Sequence, residues 1–196
     1  MTAGKMRRIW LQTIIFVLLF YGTVSALTVA GVSVTDRVTL GTAGPELVLN
    51  GAGIRKKLFI KVYVGALYLP EKTTDPAKIL AAVGAKRVTM HFLYREVSRK
   101  KIVDAWSEGF SRNLSAGEFK AVESRLLRFN DLFRTMVRGD VITLDYLPSA
   151  GTEVRINGKH MGTIEGADFY RALLGVWLGE NPADDDLKKA MLATDH

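Results

Sequence analysis

The sequence predicts an α+β domain in which a large, mainly antiparallel sheet carries its helices on one face. Three observations lead there. Residues 87–94 and 141–147 alternate apolar and polar side chains with the period of a half-buried strand. Residues 98–133 and 166–192 instead repeat their apolar residues at helical spacing, so strands and helices come in blocks. Between Leu58 and Leu69 the only charge is Lys61, which predicts a central strand covered on both faces, one of them by helices.

Taken in order, residues 27–40 supply Val29, Val32, Val34 and Val38 for an opening strand, broken at Gly41-Thr42-Ala43-Gly44-Pro45. Residues 46–49 form a short strand. Asn50-Gly51-Ala52-Gly53 is small and turn-prone, able to take positive φ and to admit another backbone closely. Arg55, Lys56 and Lys57 follow, then the central strand to Pro70. Asp75-Pro76 starts a short helix with Asp75 as N-cap. The strand at 87–94 lies beside the central one. Ser98 caps a helix carrying Ile102, Trp106 and Phe110, and Ser115 with Glu118 has the form of a capping box opening a second. Residues 141–147, 153–156 and 160–164 make a meander, with Asn157-Gly158 its hairpin turn. Residues 166–178 are helical, and Asn181-Pro182 starts a last helix with Asp184, Asp185 and Asp186 in its first turn.

At 196 residues the chain is sized for one domain. Residues 1–26 differ in kind: Lys5, Arg7 and Arg8 precede an apolar run, and Val24-Ser25-Ala26 offers small residues for cleavage. The expectation is a signal peptide cut after Ala26, leaving one domain at 27–196 in the periplasm or secreted; an uncleaved anchor is the alternative, and the only membrane contact expected. Loss of the three basic residues lowers the net charge from +7 to +4, which does not suggest a nucleic-acid partner. The chain has no cysteine, which excludes thiolate catalysis and a disulfide scaffold. His91, His160 and His196 have no metal-ligand spacing. Serine-nucleophile and phosphate-loop motifs are absent.

Two side chains near the central strand invite a functional reading. Arg55 is either a solvated strand-flanking cation or an anchor for a carboxylate at the mouth of an apolar layer. Tyr63 shares a strand face with Gly65, Leu67 and Leu69, while Tyr68 points the other way, and Gly65 would leave room for a ligand. A buried tyrosine hydroxyl finds a partner, structural or ligand.

The run Gly51-Ala52-Gly53-Ile54-Arg55, followed by Lys61-Val62-Tyr63 and Tyr68-Leu69, resembles the chalcone isomerase superfamily, and more closely its non-catalytic, fatty-acid-binding branch. The similarity extends over residues 34–192, through Val88-Thr89-Met90 and the paired helices. It implies an open-faced β-sandwich, a large antiparallel sheet under one helix layer with the ligand between them, and no cofactor. Arg55 then matches the family's arginine, and Tyr63 stands where the enzymes carry a threonine. Thr89 and Tyr170 complete the implied ligand-binding set. The catalytic tyrosine has no counterpart at Ser98-Arg99-Lys100, and the asparagine position falls at Ala105 or Trp106. The resemblance thus implies an exported binder of a fatty acid or similar small amphipathic anion. An isomerase or intramolecular lyase acting on an enone, and a scaffold needing no ligand, are the alternatives.

Overall fold

The computed structural model describes residues 26–193, so residues 1–25 of the expected leader lie outside the described part. Strand β1 (Ala26–Val29) opens the chain and turns back on β2 (Val32–Thr35) through Ala30 and Gly31, at φ 48° and 80°. After β2 comes β3 (Arg37–Thr39), so the expected single opening strand is three short ones. The left-handed pair at Ala30-Gly31 makes the reversal that an alternation count passes over.

Strand β4 (Glu46–Lys57) and strand β5 (Ile60–Leu69) form a long hairpin. Here the sequence expectation is corrected: residues 50–53 are strand, with a bulge at Asn50, and the chain reverses at Leu58-Phe59. Asn50 is fully buried because its side chain serves as a tie. Its amide donates to the carbonyls of Thr73 and Met191, and its carbonyl accepts from Thr73 N.

Helix α1 (Pro76–Ala81) has the expected cap, Asp75 accepting from Ala77 N and Lys78 N. Next are β6 (Lys86–Phe92) and β7 (Glu96–Val97), then α2 (Arg99–Asn113), capped by Ser98. The capping box of Ser115 and Glu118 opens α3 (Ala116–Asp131). A two-residue strand, β8 (Met136–Val137), pairs with β7, a small sheet the periodicity did not reveal. The meander is β9 (Val141–Leu147), β10 (Gly151–Ile156) and β11 (Lys159–Ile164), turning at Asn157-Gly158 with φ 51° and 77°. Last come α4 (Ala167–Leu178) and α5 (Asp185–Leu192), whose cap is Asp184, three residues beyond the expected Asn181-Pro182 start.

The main sheet runs β11-β10-β9-β6-β5-β4-β3, antiparallel at every junction. One face carries the main core: Tyr63, Leu67, Met90, Phe92, Ile142, Leu144 and Tyr146 pack against the buried sides of α2, α3 and α4. The other face has a smaller core, in which Val64, Ala66, Tyr68 and Leu49 meet Val34 and the β1–β2 hairpin. Both faces of β5 are therefore covered, as its composition requires. Its outer end, Ile60 and Lys61, is exposed.

Candidate functional site

Register sets the site. Arg55 on β4 lies opposite Tyr63 on β5, Gly53 opposite Gly65, and Gly51 opposite Leu67. The Arg55 guanidinium lies over the Tyr63 ring, 5.9 Å from its centroid, as a cation–π contact. It is half-buried, and among the described residues it makes no hydrogen bond and no ion pair.

Tyr63 is buried, and its hydroxyl oxygen accepts a 2.9 Å hydrogen bond from Trp177 Nε1 on α4. That bond leaves the hydroxyl proton free for an acceptor. Burial pushes the phenol above its ordinary pKa, partly offset by the Arg55 charge and the Trp177 bond. Trp177 stacks edge-on against Trp106, at 5.6 Å between centroids, and Trp106 continues into Phe129 and Phe133. Trp106 fills the layer where the resemblance placed the enzymes' asparagine. Its Nε1 is buried without a partner among the described residues.

The glycines of the site make a seat. A Cβ at Gly51 would collide with the Ala190 carbonyl oxygen, and one at Gly53 would stand 2.5 Å from the Ala190 side chain. At Gly65 it would press on Leu187, Met191 and Tyr63, each at 3.3 Å. Helix α5 therefore rests directly on the strand backbones. The expected room at Gly65 is corrected: Leu187 and Met191 occupy it. The seat is held at both ends, since Lys56 N donates to Asp184 Oδ2 at 2.8 Å and Asn50 Nδ2 to the Met191 carbonyl at 2.8 Å.

The four sequence candidates do not converge. Arg55 and Tyr63 meet. Tyr170 is buried on the same face but sits seven residues before Trp177 on α4, about 10 Å along the helix. It stacks on Tyr146 at 4.6 Å, and its hydroxyl is buried with no partner among the described residues. Burial raises its pKa well above the usual phenol value. Thr89 pairs with Ala66 and Thr143, so its side chain is on the face away from the helices. The strand's period of two puts Val88 and Met90 on the helix side and necessarily removes Thr89 from it.

Sequence reasoning missed a second charged group, Lys86. It is buried at the start of β6, 5.5 Å from the Tyr146 ring centroid, and its Nζ donates to the carbonyls of Ala82 and Gly84. Burial lowers its pKa to about 8. With Tyr170 and Arg171 it lines a cavity of about 140 Å³. The signal was available as a lysine opening a strand otherwise buried on that face.

Among the described residues no group of His, Cys, Asp and Glu side chains is arranged to hold a metal ion, and no helix is long and apolar enough to cross a membrane. No curated protein matches the sequence. Among solved structures, a fatty-acid-binding protein of Arabidopsis thaliana is similar in fold. Its TM-score is 0.60 at 18% identity, over 80% of this chain and 96% of that one. The family model described as chalcone isomerase-like matches residues 26–193, the whole of the fold above, and the chain belongs to that family.

Proposed function

We propose that the protein binds a fatty acid or a similar small amphipathic anion without transforming it, holding the carboxylate on Arg55. The observation that carries this reading is the Arg55 guanidinium at the rim of the helix-covered layer, without a carboxylate partner among the described residues. A guanidinium so placed gains from a bidentate carboxylate, and the free Tyr63 hydroxyl proton is a second donor. The similar structure from Arabidopsis is named for fatty-acid binding, which supports the ligand class. The acyl chain would take the glycine floor from Arg55 to Gly51, about 13 Å by strand rise, with helix α5 lifted from it as a whole.

Where the polar groups are spent supports a reading without catalysis. The Ser98 hydroxyl caps α2 by accepting from Lys101 N, and Arg99 donates to the Phe133 and Asn130 carbonyls. Arg55 and Tyr63 are thus left without the tyrosine and asparagine donors with which the enzymes would stabilise a developing enolate. We propose export as well. Cleavage after Ala26 would remove one residue of β1, its pair with Thr35, and leave the rest of the hairpin.

One observation favours a second reading, a scaffold that needs no ligand: the layer between sheet and helices is filled, with Trp106, Trp177 and Tyr170 buried and α5 seated on the glycines. Lipid extraction and native mass spectrometry of the purified protein, wild type beside Arg55→Ala, separate the two. A co-purifying fatty acid lost in the variant is expected. No bound lipid in either, with added fatty acid failing to bind, would leave the scaffold.

A further inference from the structure

The largest exposed apolar feature among the described residues lies at the turn between β4 and β5. Phe59 is 100% exposed and Leu58 85%. Ile60, Tyr94 and Val137 are exposed too, and they belong to the same end of the sheet. Leu93 N and Tyr94 N both donate to the Val62 carbonyl, and Arg138 N donates to the Arg95 carbonyl. Five of the seven large hydrophobic residues exposed among the described residues are gathered there. Scattered singly they would mean nothing; gathered at one tip they mark a contact surface.

The turn itself argues the same. Leu58 has φ 56°, a left-handed backbone that turns normally give to Gly, Asn or Asp. Asn157-Gly158 obeys that rule at both residues, and Ala30-Gly31 at its second. Only the β4–β5 tip places a leucine there and follows it with phenylalanine, giving up local turn preference to hold two apolar side chains in water.

Charge selects the partner. Lys56, Lys57 and Lys61 flank the tip, Arg95 stands beside it, and none of the four side chains has a partner among the described residues. Among the described residues the Arg138 side chain donates only to the Leu93 carbonyl. The carboxylates near this end are Glu96, Asp140 and Asp184 to Asp186; Asp140 is engaged by Arg134 and Val137 N, and Asp184 by Lys56 N and Leu187 N. Two copies meeting tip to tip would press cationic rims together. Apolar side chains ringed by unpaired ammonium groups instead match an anionic lipid surface, with its apolar layer beneath phosphate.

We propose that the β4–β5 tip docks the protein on anionic bilayers, Leu58 and Phe59 entering the acyl boundary while Lys56, Lys57 and Lys61 meet the phosphates. Docking of this kind stands whether or not Arg55 binds a fatty acid. The absence of cysteine from the chain allows a local test. Full-length Phe59→Cys carries a polarity-sensitive fluorophore, and Val83→Cys, exposed near the start of β6, carries the same label as control. Both are mixed with phosphatidylglycerol–phosphatidylethanolamine vesicles and with phosphatidylcholine vesicles. A blue shift at position 59 with the anionic vesicles alone, reversed by high salt, and none at 83, is expected. Insertion of the apolar leader would not be reversed by salt, so a salt-reversible shift at 59 belongs to the tip. Lys56→Gln, Lys57→Gln and Lys61→Gln together should weaken this vesicle-dependent shift about hundredfold, at about fivefold per charge. A label at 59 that stays in water, equal shifts at 59 and 83, a shift that ignores the three lysines, or concentration-dependent shielding without lipid would each overturn the proposal.

Discussion

Each end of the helix-covered sheet face holds a cation over a tyrosine ring, and the two are solvated in opposite ways. Lys86, over Tyr146, is buried and gives its protons to the carbonyls of Ala82 and Gly84. Arg55, over Tyr63, is half-buried and gives its protons to no protein group among the described residues. The hydroxyls are reversed. Tyr63 is tied to Trp177, whereas Tyr170, stacked on Tyr146, has no hydrogen-bond partner among the described residues. A satisfied cation beside an orphaned hydroxyl is a packing solution. An unsatisfied cation beside an anchored hydroxyl is, in the function proposed above, where an anion would sit.

The largest expected effect strikes the seat beneath the Arg55 end. Gly51→Val drives a side chain into the Ala190 carbonyl and to within 2.7 Å of the Met191 carbonyl, backbone atoms that cannot turn aside. A loss of about 3 kcal/mol is expected in urea denaturation, with hydrogen exchange rising first in α5. Valine tolerated at wild-type stability would show that α5 is not held against the strands.

The tyrosines give the next contrast. Tyr63→Phe strands the Trp177 N–H in the core and should cost about 1–3 kcal/mol. Tyr170→Phe removes an already unpaired hydroxyl and should be neutral or stabilising by up to about 1 kcal/mol. Equal losses in thermal unfolding would erase the distinction between the two ends.

Smallest is the effect of Lys86. Because its folded pKa of about 8 lies below the ordinary 10.5, the unfolded chain binds the extra proton between those values, and stability rises with pH across that window. Lys86→Met should flatten this rise and change neutral-pH stability by about 1 kcal/mol or less, since two hydrogen bonds and a desolvation cost leave together. An unchanged pH profile would mean that Lys86 is not the titrating group.

Much of this was legible in the sequence because local rules and the fold agree. Asp75, Ser98 and Ser115 cap the helices they were expected to cap, Asn157-Gly158 turns its hairpin, and the alternation around Tyr63 puts it on the helix side. The long β4–β5 hairpin was misread because its glycines looked like a turn. They serve the close approach of α5, which the same residues also suggested, while the true turn at Leu58-Phe59 has no turn residue to betray it. The Tyr63–Trp177 bond joins residues 114 positions apart, and the Lys86 cavity joins α1, β6, β9 and α4. Such meetings come from tertiary register, which no local pattern encodes.

The central claim is that Arg55, and not Lys86, receives an anionic head group. Calorimetric titration of palmitate into wild type, Arg55→Ala and Lys86→Met tests it most directly. One charge-assisted carboxylate contact is worth about 1.5–3 kcal/mol, so Arg55→Ala should lose about 10- to 100-fold in affinity while Lys86→Met matches wild type. Equal affinities in all three proteins, or palmitate failing to bind the wild type, would contradict it.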